Sequence, residues 1–148
     1  MKPAGLLAAL SIALALPACV SEEAIIPVRA PDVALLCIKS NPDVARPDFA
    51  VQLRHQLEER GFHTIQYDAD APAECRYRLL YWAGWRWDLE EYLYFAALRV
   101  YDGTKLIGQS SYDDRYGARL AKYRSTEEKI AAMVEKLFPN RPSPKGSL

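Results

Sequence analysis

This chain has no surplus of either charge. Its 19 lysines and arginines are balanced by 19 aspartates and glutamates, so no strong field gathers nucleic acid or an anionic lipid surface, and neither is expected as an electrostatic partner. Histidine is scarce. His55 and His63 stand alone, without Cys-x-x-Cys, His-x-x-x-His or a carboxylate at ligand spacing, so no metal set is written in the sequence. The seven glycines form no phosphate-cradling loop, and no serine sits in a nucleophile elbow. Nothing here calls for a cofactor or a catalytic residue. A membrane-spanning stretch is also missing: the apolar run Ala4 to Leu16 is 13 residues, and a spanning helix needs about 20.

That short run is itself a signal. Lys2 precedes it, and Leu16-Pro17-Ala18-Cys19 closes it. A charged start, a short apolar core and a small residue before the junction make a secretory signal. With cysteine at the junction, the four residues read as a lipobox, where a bacterial prolipoprotein is acylated on Cys19 and cut after Ala18. Pro17 departs from the usual small or aliphatic residue, and plain cleavage after Ala18 with a free Cys19 thiol stays open. Val20, where Asp would hold the protein at the inner membrane, points to a periplasm-facing outer-membrane lipoprotein. Residues 1–18 are thus a signal peptide, 19–32 a tether, 33–139 one domain, and 140–148 a disordered Pro/Ser/Gly tail.

Alternating elements follow. Val33 to Ile38 is an unbroken apolar run, expected as a strand buried on both faces. Pro47, Asp48, Phe49, Ala50, Leu53 and Leu57 carry helical spacing, stopped by Gly61. His63 to Tyr67 reads as a second strand, and the strand–helix–strand order implies a parallel pair. Arg76 to Trp87, Tyr92 to Tyr101 and Lys105 to Tyr112 read as an antiparallel meander, with Asp102-Gly103 as a hairpin turn. Ser125-Thr-Glu-Glu128 is a capping box opening a last helix, whose stripe is Ile130, Met133, Val134, Leu137 and Phe138. Ile25, Ile26 and Val28 are unusually apolar for a tether, which suits an edge segment lying on the domain. The expected fold is α+β: a two-layer sandwich, with two helices on one face of a mixed four- to five-stranded sheet.

Leu80 to Leu93, Leu106 to Tyr112 and Lys122 to Lys129, with Cys37-x-x-x-Asn41-Pro42 and Cys75, resemble a family of small proteobacterial outer-membrane lipoproteins of unassigned function. Members have paired cysteines and a Trp-Asp-Leu turn, here Trp87 to Leu89. The resemblance implies a lipoprotein with a two-layer α/β fold and supplies no activity.

Two thiols remain after Cys19, and in a secreted chain Cys37 and Cys75 are most simply a disulfide. Asp113 and Asp114 are adjacent on a loop and read as solvated surface, as does His55. The one unusual composition is aromatic: alternation puts Tyr77, Leu79, Tyr81, Ala83, Trp85 and Trp87 on one face of the first long strand. Arg78, Leu80, Trp82, Gly84 and Arg86 fall on the other. On the partner strand, Leu93, Phe95, Arg99 and Tyr101 share that second, arginine-bearing face. Helices can cover one face, so Trp82, Arg86, Phe95, Arg99 and Tyr101 are a candidate interface with the composition of binding hot spots. The plainer alternative is that rings and arginine stems shield each other. Two function classes follow: a non-enzymatic envelope lipoprotein binding an unidentified protein or envelope polymer through this face, and an enzyme acting on an envelope substrate. Three polar groups converging in a pocket would favour the second.

Overall fold

The structure is a computed structural model, and it describes residues 25–114 and 120–141. The expected signal segment, the expected lipidation site Cys19 and the chain beyond Arg141 lie outside the described residues.

The apolar run near the start forms strand β1 (Leu35–Lys39). Leu36, Cys37 and Ile38 are all buried, as a run without alternation requires. Helix α1 (Asp48–Glu59) follows, ended by Gly61 at φ 82, where glycine alone adopts the left-handed conformation without cost. Strand β2 (His63–Tyr67) then lies parallel to β1. Strands β3 (Tyr77–Asp88), β4 (Glu90–Asp102) and β5 (Lys105–Asp113) form the antiparallel meander. The sheet order is β2-β1-β3-β4-β5, with β3 parallel to β1. A 3-10 turn at Leu120–Tyr123 leads into helix α2 (Thr126–Leu137). The capping box is present: the Ser125 hydroxyl accepts from the Glu128 amide at 3.1 Å, and the Glu128 carboxylate accepts from the Ser125 amide at 3.2 Å.

The fold is therefore α+β, with a five-stranded mixed sheet and both helices packed against it. Phe49, Leu53 and Leu57 of α1 and Ile130, Val134 and Leu137 of α2 share one core with Leu36, Ile38, Leu79, Tyr81, Ala96, Leu98 and Val100 of the sheet. At the β1 exit the Asn41 side-chain amide donates to the Tyr81 carbonyl at 2.8 Å, and its backbone amide donates to the Tyr81 hydroxyl at 3.2 Å. Asn41-Pro42 is therefore a tie between β1 and β3. Gly108 on β5 faces the core, where an added Cβ would collide with Val28 and lie 3.0 Å from Leu137 Cδ1. No helix among the described residues is long and apolar enough to cross a membrane.

Packing begins earlier in the chain than Val33. Ile26 exchanges two backbone hydrogen bonds with Gln109 of β5, both 2.7 Å, and the Val28 amide donates to the Leu137 carbonyl at 2.8 Å. Val28 is buried. The apolar residues of the tether are thus an edge segment of the domain, tolerating Pro27 because an edge leaves its missing N–H unneeded.

Three side-chain placements correct the sequence reading. Leu93 is in the core, not on the second face, because β4 carries a bulge: Gly84 pairs with Phe95 but Trp85 pairs with Leu93, leaving Tyr94 as the extra residue. Trp87 has the parity of the core face, yet it is 77% exposed, because β3 and β4 run on past the helices that would cover it. Asp114 is not solvated surface: it is buried, and its amide donates to the Tyr94 carbonyl at 2.7 Å.

Candidate functional site

The open face of the sheet gathers the five residues singled out by alternation. Arg78 pairs with Tyr101, Leu80 with Arg99, Trp82 with Ala97 and Gly84 with Phe95 across the β3–β4 ladder, so their side chains rise on the same side. No described helix covers them. The guanidinium of Arg99 lies over the Trp82 ring at 5.3 Å and its Nε donates to Gln109 Oε1 at 3.0 Å. Arg86 lies over the Tyr94 ring at 4.2 Å. Arg78 donates to the Gly103 carbonyl. Arg86 and Arg99 are exposed, whereas Trp82, Phe95 and Tyr101 are half-buried. The rings lie half-buried beside exposed guanidinium groups, where cation–π attraction is worth about 0.5–1 kcal/mol each.

Tyr94 belongs to this face, and sequence alternation did not place it there. The bulge turns both Tyr94 and Phe95 away from the core, with ring centroids 6.5 Å apart. Gly84 makes room for it: a Cβ on Gly84 would sit 2.9 Å from Tyr94 Cε1. A glycine inside a strand is the sequence signal for such a bulge.

Cys37 and Cys75 are joined as a disulfide, Cα to Cα 5.7 Å, which ties the loop before β3 onto β1. Next to it, Arg76 binds both Asp102, with contacts of 3.0 and 2.8 Å, and Asp32 at 2.9 Å, while the Tyr77 hydroxyl donates to Asp32 at 2.8 Å. The Tyr77 hydrogen bond holds the Asp32 carboxyl below the usual range, and the Arg76 hydrogen bond does the same for Asp102. Arg76, Asp32 and Asp102 are open to solvent while Tyr77 is buried, and together they clamp the start of β3. His55 Nε2 lies 3.3 Å from the Glu59 carboxylate on the outer turn of α1, and its side chain is exposed. Among the described residues, no three His, Cys, Asp or Glu side chains group as metal ligands.

A second polar cluster was not legible in the sequence. Lys129 of α2 is buried; its ammonium donates to the Leu93 carbonyl at 3.0 Å and to the Lys122 carbonyl at 2.5 Å. It lies 5.0 Å from the Tyr112 ring centre and 5.9 Å from that of Tyr92. It borders a cavity of about 160 Å³, shared with Tyr112, Asp114, Arg124, Glu128 and Met133. Burial lowers the Lys129 pKa, opposed chiefly by Asp114. The folded state therefore releases this proton at lower pH than the unfolded chain does, so its contribution to stability rises with pH through the interval just below 10.5. Comparing thermal melts of the wild type and Lys129→Met across that interval is expected to show the wild type gaining relative to the variant. A pH-independent difference between the two would contradict it.

No family model matches the chain, and no curated protein does. Among solved structures it is similar to the PelC dodecamer from Paraburkholderia phytofirmans, at 15% identity and a TM-score of 0.49, over 78% of this chain and 94% of that one. At those values the likeness carries nothing about function.

Proposed function

We propose that the protein is a lipid-anchored outer-membrane lipoprotein of the small proteobacterial family it resembles, facing the periplasm. In this reading it binds an envelope protein or polymer through the open sheet face. The observation that supports this is the Trp82–Arg99 and Arg86–Tyr94 pairing on a sheet surface that both helices leave uncovered. Aromatic rings give contact area at little conformational cost, and guanidinium groups give planar donors, the combination enriched at binding hot spots. The site holds no nucleophile–base pair, so the reading is of a binding module rather than an enzyme.

The enzymatic reading has its own support in the cavity beside Lys129, where Asp114 Oδ2 is buried without a hydrogen-bond partner. Lys129 already donates to two carbonyls, one in β4 and one in the 3-10 turn. That is the work of a brace between α2 and the sheet, which makes catalysis the weaker of the two readings.

Placing a photo-crosslinking amino acid at Tyr101, on the open face, is expected to yield adducts in living cells. The same group at Val51, exposed on α1, is expected to yield none. Trp82→Ala should weaken capture while costing less than the roughly 3–5 kcal/mol of truncating a buried tryptophan. Trp85→Ala should do the reverse, since its half-buried ring packs edge-on against Phe49 at 5.9 Å. Thermal melts of the two variants decide the stability half. Equal destabilisation would make Trp82 a packing residue and remove the interface.

A further inference from the structure

The β3–β4 hairpin ends in the two most exposed large apolar side chains among the described residues, Trp87 at 77% and Leu89 at 82%. Leu89 also has φ 63, in the left-handed region that disfavours any residue with a bulky side chain. Both backbone preference and hydration therefore work against a leucine at this apex, where asparagine or glycine would relax the turn. Two of the three acids around it are paired, Asp88 with Lys122 at 2.5 Å and Glu91 with Arg46, and Glu90 is exposed. The tip is a small apolar prominence on a collar in which two of the three acids are paired with cations.

Its position relative to the tether supplies the occupant. Ile26 pairs antiparallel with Gln109 of β5, so at Ile25 the chain enters from the side of β5 on which Asp113 pairs with Phe95. The β3–β4 turn projects from that same end of the sheet. Gln109 is level with Arg99, ten residues from Leu89 along β4, which is roughly 30 Å at strand rise with one residue lost to the bulge. Cys19 precedes Ile26 by seven positions, a reach of at most about 25 Å. With so short a reach, an anchor at Cys19 keeps the Ile26 edge of the sheet within about 25 Å of the bilayer.

We propose that the β3–β4 turn is a membrane-dipping wedge, with Trp87 and Leu89 entering the headgroup–acyl boundary of the leaflet that carries the Cys19 anchor. Tryptophan favours that interfacial layer, and an apolar prominence beside a lipid anchor gives the second point of attachment that fixes orientation. The open face, its strands standing on end, then points sideways into the periplasm. The proposal takes the site of tethering from the lipoprotein reading.

The test separates the two. With Cys37 and Cys75 bonded, Cys19 is the one free thiol of the three cysteines. The chain from Cys19 onward, which retains every described residue, is coupled through that thiol to a maleimide phospholipid in phosphatidylethanolamine/phosphatidylglycerol vesicles containing brominated lipid. This sets the tether chemically, whether or not cells acylate Cys19. Tryptophan emission is expected to be quenched by the brominated chains; Trp87→Phe should lose more than half of that quenching, and Trp82→Phe should keep it. Leu89→Asp should reduce quenching with Trp87 intact. No quenching of the coupled wild type, or equal quenching in Trp87→Phe, overturns the wedge. So does concentration-dependent self-association of the uncoupled chain that Trp87→Ala abolishes, which would make the tip a contact between protein copies.

Discussion

Replacing Cys19 by serine is expected to abolish incorporation of labelled palmitate and to move the protein from the membrane fraction to the soluble periplasm. The thiol is the atom that takes the diacylglyceryl group, and a serine hydroxyl at the same place is far less nucleophilic. Each buried CH₂ of an acyl chain contributes about 0.8 kcal/mol, so two or more chains retain a protein that one amphiphilic hairpin turn does not. The balance of charge gives the chain no net positive field to substitute for them. Labelled palmitate followed in cells, together with fractionation, reads the result. Unchanged labelling in Cys19→Ser would mean that Leu16-Pro17-Ala18-Cys19 is an ordinary secretory cleavage site, and the anchor would have to lie elsewhere.

Cys75→Ala is expected to remove roughly 4 kcal/mol of stability. The two cysteines are 38 residues apart in sequence, and closing a loop of that size restricts the unfolded chain by about that amount on the chain-entropy treatment. The folded state loses little else: Cys37, left as a buried thiol, behaves as a small apolar side chain. Against a total stability of about 5–15 kcal/mol for a domain of this size the loss is large, and the melting temperature should fall by on the order of 15 °C. Urea unfolding with and without reductant checks the mechanism. The wild type should lose the same amount on reduction, while Cys75→Ala should not respond. A wild type indifferent to reductant, or one that takes up two alkyl groups at Cys37 and Cys75 without it, would show that the bond does not form.

How much of this molecule is readable from residues depends on the range of the interaction. The α1 and α2 stripes, the Ser125–Glu128 cap, the Gly61 stop and the Asp102-Gly103 turn were legible because each is decided within a few residues. The faces of β3 up to Trp85 were legible for the same reason, since alternation is a property of one strand. Leu93 defeated alternation because one extra residue, Tyr94, reverses the parity of everything before it on β4. Gly84 opposite was the available signal, and its meaning depends on which residue of the partner strand it faces. Asp114 was read as surface because charge usually means solvent, and no local pattern set Lys129 apart, whereas here β4 and the 3-10 turn supply carbonyls for its buried ammonium.

Residue pattern alone sets the element order, the two-layer class, the pairing of the apolar stripes with one face of a mixed sheet, and the separation of Trp82, Arg86, Phe95, Arg99 and Tyr101 from the core. Periodicity, caps and turn chemistry act locally, so they survive being read without a fold. Only the tertiary structure decided where the helices stop covering the β3–β4 hairpin, which leaves Trp87 and Leu89 bare, and which way the chain enters at Ile26. It alone decided that Lys129 is buried. Those outcomes depend on element lengths measured against one another and on the register of a bulged ladder, distances between parts of the chain that no stretch of residues contains.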